Sequence, residues 1–359
     1  PSSVTSIGDS AFDGCSSLTN IEIPSSVTSI GNYAFEDCSR LTSIEIPSSV
    51  TSIGDSAFDG CSSLTNIEIP SSVTSIGNYA FEDCSRLTSI EIPSSVTSIG
   101  DSAFYRCSSL TNIEIPSSVT SIGNSAFYGC SSLGSIEIPS SVTSIGNSAF
   151  SGCSSLGSIE IPSSVTSIGD SAFNGCSSLE SITIEGENPN YKSENGVLFS
   201  NDMKTLIKYP SKKNLSLYDI PISVELIASN AFQSCLILTT IRIHENVNEI
   251  GDHAFSSCSN LADVYFFGSN EPTSNAAFSD CAKLQRIIIS NDNYSADTFC
   301  GLPIVRNSTS TSTSKPLSGG AIAGIVIACI VVVGAIIAAV VYFVIFRKTK
   351  TDESIDELK

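Results

Sequence analysis

The chain contains no tryptophan, one methionine and two histidines, and its 17 lysines and arginines face 36 aspartates and glutamates, for a formal net charge of -19. So few cations cannot build the basic face that a nucleic-acid partner requires, which excludes nucleic acid as a ligand. With His244 and His253 as the only histidines, acid–base and metal chemistry have little to work with. No glycine-rich phosphate loop or nucleophile elbow accompanies the abundant serines, so the chain reads as a non-enzyme without a cofactor. Charge is scarce as well. Only 15% of residues are charged while 41% are apolar, which rules out a disordered acidic polymer. The chain opens at Pro1, inside a motif, so further sequence, including a signal segment, is expected to precede it.

What the sequence does contain is periodicity. Prolines recur at 1, 24, 47, 70, 93, 116, 139 and 162, and cysteines at 15, 38, 61, 84, 107, 130, 153 and 176, each with a spacing of 23. Residues 1–46 are repeated without change as 47–92. Such self-similarity marks a stacked array rather than separate globules. In the first unit the recurring apolar set is Val4, Ile7, Ala11, Phe12, Cys15, Leu18, Ile21 and Ile23.

Local chemistry suggests how a unit is shaped. Leu18–Ile23 ends in alternation with β-branched residues and is stopped by a proline that cannot donate to a ladder, so it predicts a short strand. Val4–Ile7 is a second extended piece, and Gly8 permits a tight turn. Asp9-Ser10-Ala11-Phe12 begins with a helix-capping residue, which predicts a single helical turn to about Cys15. One such coil cannot cover its own apolar side chains. Stacking in parallel solves the problem, because each Phe, Leu and Ile then packs on its own copy. The expected class is an α/β repeat solenoid of 23-residue coils, with short parallel strands and single-turn helices, followed by one transmembrane helix.

The run A-F-x-x-C-S-S-L-x-x-I-x-I-P-S-S-V-T-S-I-G resembles the Treponema-type leucine-rich repeat of BspA-like surface proteins, found in bacteria and expanded in trichomonad parasites. The A-F-x-x-C core occurs eleven times, the last three at Ala231–Cys235, Ala254–Cys258 and Ala277–Cys281, and the likeness covers about residues 1–289. It implies a leucine-rich-repeat solenoid on a cell surface that adheres to host cells, extracellular matrix or other microbes.

The array is interrupted once. Pro162 to Pro221 spans 59 residues, two periods plus 13, and the turn signals Asn188-Pro189-Asn190, Asn195-Gly196 and Asn201-Asp202 predict a hairpin inserted at about 185–215. A cap is expected at about 290–302, completing an ectodomain over 1–302. Residues 303–320 read as a Ser/Thr-rich stalk. Residues 321–346 carry no charge and are long enough to cross a bilayer, with Arg347, Lys348 and Lys350 placing a tail, 347–359, in the cytoplasm. Localisation in the plasma membrane follows, with the repeats outside. The small-x-x-x-small spacing of Gly320/Gly324 and Gly334/Ala338 would permit a weak dimer through the membrane helix.

Candidate sites fall at departures from the repeat. Cysteines 23 residues apart, related by translation and lacking histidine partners, read as buried free thiols, with Cys300 the exception and Cys329 in the apolar run. Glu22, Glu45, Glu68, Glu91, Glu114, Glu137 and Glu160 should form an outward file of carboxylates, either simply solvated or a weak cation site. Lysine is absent before Lys192; then Lys204, Lys208, Lys212 and Lys213 gather in the insert, and with Arg242 and Tyr265 they are the candidate ligand-binding residues. Asp13-Gly14, Glu36-Asp37, Tyr105-Arg106, Tyr128-Gly129 and Ser151-Gly152 vary while Phe and Cys do not. Asn214, Asn293 and Asn307 begin glycosylation sequons. The expected role is adhesion to a host or microbial surface protein, a matrix protein or a glycan. The alternatives are a passive coat or antigenic spacer and, third, a receptor that needs a signalling partner.

Overall fold

The computed structural model describes residues 3–306. They form a β-solenoid of about twelve turns in which every coil donates hydrogen bonds to its neighbours along the stack. One ladder joins Ser6–Ile7, Ser29–Ile30 and Ser52–Ile53 in parallel register, and passes through the bridges Ile53↔Ile76↔Ile99 to Ser167–Ile168. A second runs through Glu22↔Glu45↔Glu68 into Asn66–Glu68, Ser89–Glu91 and Asn112–Glu114. Further along, Ser158–Ile161 pairs with Ser181–Ile184.

The expectation of an α/β repeat with single-turn helices is overturned: the described residues contain no helix. Asp9–Cys15 is instead a third ladder. Alternate N–H groups point along the stack, Ser10 to Asn32 O at 2.8 Å, Phe12 to Ala34 O at 2.9 Å and Gly14 to Glu36 O at 2.8 Å, while those between them close local turns. Ser10 sits at φ 53°, Tyr33 at 57° and Ser56 at 51°, a left-handed step that a helix cannot absorb. The capping residue is real but serves the next coil, since Asp9 Oδ1 accepts the Asn32 N–H at 2.8 Å. Asn32, Asp55 and Asn78 repeat the bond onward.

The transmembrane helix belonged to the same expectation, and it too lacks support. Among the described residues no helix is long and apolar enough to cross a membrane. The run 321–346, its small-residue spacing and Cys329 lie outside the described residues, as do the tail and most of the stalk.

Like packs on like in the interior. Phe12, Phe35, Phe58, Phe81, Phe104, Phe127, Phe150 and Phe173 stack with ring centroids 5.1–5.9 Å apart and planes within 7°. Each full burial of such a side chain contributes roughly 1.5–3 kcal/mol. Among the described residues the cysteines are free thiols, and they also donate: Cys38 Sγ lies 3.2 Å from Phe12 O, and Cys61 through Cys176 repeat the contact.

The insert partitions the core. Asn188 is buried and closes the first array, its Nδ2 donating to Val165 O at 2.8 Å, where the preceding coils use a serine, as in Ser164 to Val142 O. Tyr191–Glu194 then pairs antiparallel with Val197–Ser200, which pairs antiparallel with Thr205–Lys208. Leu198 enters the first hydrophobic core, while Val197 and Phe199 enter the second. Parallel stacking resumes as Thr205–Lys208 meets Leu226–Ile227 and then Glu249–Ile250. A second ring stack runs through Tyr209, Phe232, Phe255 and Phe278.

Candidate binding surface

The four insert lysines do not form one patch. Lys204 Nζ is 2.8 Å from Glu225, Lys212 Nζ is 3.3 Å from Glu180, and Lys213 donates to the Asn195 carbonyl. Hydrogen bonding to Glu225 raises the Lys204 pKa. Lys208 is buried, 4% exposed, with Nζ 2.9 Å from Asn230 O, and burial lowers its pKa. Sequence proximity brought these residues together; the coil path sends them to different places.

Arg242 and Tyr265 are neighbours. They occupy one outward row, Asp219↔Arg242↔Tyr265, on Leu217–Asp219, Thr240–Ile243 and Asp263–Phe266. The Arg242 guanidinium lies 5.9 Å from the Tyr265 ring centroid and 3.4 Å from Asp219. The parallel row Leu217↔Thr240↔Asp263↔Arg286 runs beside it. There Arg286 grips Asp263 through two hydrogen bonds of 2.7 Å each, and this contact raises its pKa. The Asp219–Arg242–Tyr265 row continues to Ile288, which is buried where Val305–Arg306 pairs over the edge. Alongside, His244 stacks on Phe267 at 5.6 Å.

The first half presents the same two rows as Asn66, Ser89 and Asn112 beside Glu68, Glu91 and Glu114. Exposed ion pairs are worth about 0–1 kcal/mol, so stability does not explain the change to Arg, Tyr and Asp. Arginine and tyrosine are the residues enriched at interface centres. The sequence singles out Arg242 and Tyr265 but not their neighbours Asp219, Asp263 and Arg286. The available signal was substitution at the neighbouring outward position, where the early units carry Asn20 or Ser43.

The carboxylate file is exposed and is in register from Glu22 to Glu114, and among the described residues no group of three or more His, Cys, Asp or Glu side chains is arranged to hold a metal. Asn214 and Asn293 are exposed, and Asn307 lies outside the described residues. Cys300 is half-buried and free, with burial pushing its thiol up to about 12.

A family model described as "BspA type Leucine rich repeat region (6 copies)" matches residues 1–111, 97–215 and 197–303. Among solved structures, the chain is similar to a leucine rich cell surface protein from Faecalibacterium prausnitzii, at 31% identity and a TM-score of 0.66, covering 82% of this chain and 89% of that one. It is also similar to a leucine-rich repeat protein from Bacteroides ovatus, at 32% identity and a TM-score of 0.51, covering 79% and 82% respectively. No curated protein matches significantly. Coil length, buried Phe and Cys files and matched residues agree, and the chain belongs to the BspA-type leucine-rich-repeat family.

Proposed function

We propose that the protein is an adhesin whose partner, a protein on a host or microbial surface or in the matrix, docks on the outward face around Asp219, Arg242, Tyr265, Asp263 and Arg286. The observation that carries this reading is the switch of two outward rows from repetitive Glu and Asn to Arg, Tyr and Asp, while the inward positions stay apolar. A solenoid suits that division of labour, since outward positions can vary without disturbing the stacked core. Surface exposure is supported by the likeness to a cell surface protein. Residues 1–302 would be the binding part, with Asn214 and Asn293 available as glycan acceptors.

The near-identity of the first coils favours a second role for that half, a spacer that carries the binding face outward. The test is saturable binding of the full chain to cells and to immobilised matrix proteins. Paired Arg242→Ala and Tyr265→Ala substitutions should weaken binding tenfold or more, equivalent to about 1.4 kcal/mol, whereas Glu68→Gln with Glu91→Gln should leave it unchanged. Equal binding by the Arg242/Tyr265 variant and the native chain rejects this face.

A further inference from the structure

The turn of the inserted coil is short. Four residues separate Ile7 from Phe12 in a regular coil, but only Ile207 and Lys208 separate the corresponding Leu206 and Tyr209. Both correspondences are fixed by hydrogen bonding: Leu206 pairs with Ile227, and the Tyr209 N–H donates to Ala231 O as Phe12 does to Ala34 O. Lys208 therefore stands where regular coils bury an alanine.

The missing residues leave a cavity of about 400 Å³, walled by Asp170 and Asn174 on one side and by Ala228, Ser229 and Asp252 on the other. Lys208 enters it as a buried side chain. Its Nζ lies 2.9 Å from Asn230 O and 3.4 Å from Asn174 Oδ1, both neutral acceptors. A buried ammonium needs an opposite charge to be stable, and the groups hydrogen-bonded to this one supply none. Desolvation accordingly favours the neutral amine, which is the nucleophilic form.

We propose that Lys208 and Asn174 are joined by an intramolecular isopeptide bond. The Nζ lone pair attacks the Asn174 carboxamide carbon, which is bonded to the oxygen that Nζ contacts at 3.4 Å. The Nζ–Cγ bond forms, the Cγ–Nδ2 bond breaks, and ammonia leaves with a proton shed by Nζ. Nothing is oxidised or reduced, and no co-reactant enters. The bond crosses the seam where Phe173 ends one ring stack, Tyr209 begins the next, and the hydrophobic core divides. A covalent tie there would reinforce a seam where like no longer stacks on like.

Tryptic mass mapping of the full native chain tests this directly. The expected result is a branched peptide containing both Asn174 and Lys208, lighter than its two parts by one ammonia, with no cleavage after Lys208. Lys208→Arg, which keeps a cation, and Asn174→Ala, which keeps the lysine, should each yield only linear peptides. A native chain that is cut after Lys208 and carries an unmodified Asn174 overturns the proposal.

Discussion

At the scale of single residues, most repeated side chains do two jobs, and the second is invisible to composition. Cysteine reads as a small hydrophobe, yet buried thiols such as Cys84 and Cys107 also donate to a phenylalanine carbonyl of a preceding coil. Burial pushes Cys130 and Cys176 up to about 12, so thiolate is scarce at neutral pH. Native protein should leave Cys84, Cys107, Cys130 and Cys153 unlabelled by iodoacetamide and expose them only on unfolding, as peptide mapping would reveal. The turn file reads Asp9, Asn32, Asp55, Asn78, Asp101, Asn124, Asn147 and Asp170, so no aspartate ever follows another. Either residue can accept the neighbour's N–H, but adjacent carboxylates would repel. Asn78→Asp, which lines up three charges, should lower stability by about 1 kcal/mol, with the loss shrinking as salt is added.

Asp59 shows the opposite arrangement. Burial first, and then Glu82 and Glu36, push its carboxyl up to about 7. The folded state therefore holds a proton that the unfolded chain releases near pH 4, so this contribution to stability is complete below about pH 4 and is lost as pH rises through about 7. Denaturant midpoints should fall between about pH 5 and about pH 8, and Asp59→Asn should flatten that slope.

At the scale of elements, the strands were legible because proline stops and alternation of isoleucine with polar residues are local signals. The turn was not. Asp-Ser-Ala-Phe carries a helix N-cap signature, and only the stacked neighbour, which captures every second N–H, decides against a helix. Glycine at the eighth position has a similar non-local cause: a Cβ on Gly123 would meet Gly100 C at 2.6 Å and Asp101 N at 2.7 Å, both backbone atoms. One departure fits that cause, since Ala228 takes the glycine position directly after the shortened turn. Gly123→Ala should cost about 1–3 kcal/mol by overpacking, measured by urea denaturation, and Ala228→Gly under about 1 kcal/mol. The insert's turn residues were readable in sequence, but its lysines were not separable by sequence, because burial of Lys208 depends on a turn two residues short.

At the scale of the whole molecule, the fold is coil-on-coil repetition, and repetition is the feature a sequence displays most openly. Period, interior files and family could all be read from spacing and motif. The outward face could be read only in part, because Arg242 and Tyr265 stand out singly while Asp263 and Arg286 acquire meaning from register. Nearest-neighbour coupling is the physical signature of such an array, and a double-mutant cycle measures it. Phe58→Leu and Phe81→Leu, whose rings lie 5.5 Å apart, should show a coupling of about 0.5–1.5 kcal/mol. Phe58→Leu with Phe150→Leu should instead add to within about 0.5 kcal/mol. Additive losses for Phe58 with Phe81, or a coupling as large for Phe58 with Phe150, would contradict a core in which each ring is held by its own copy one coil away.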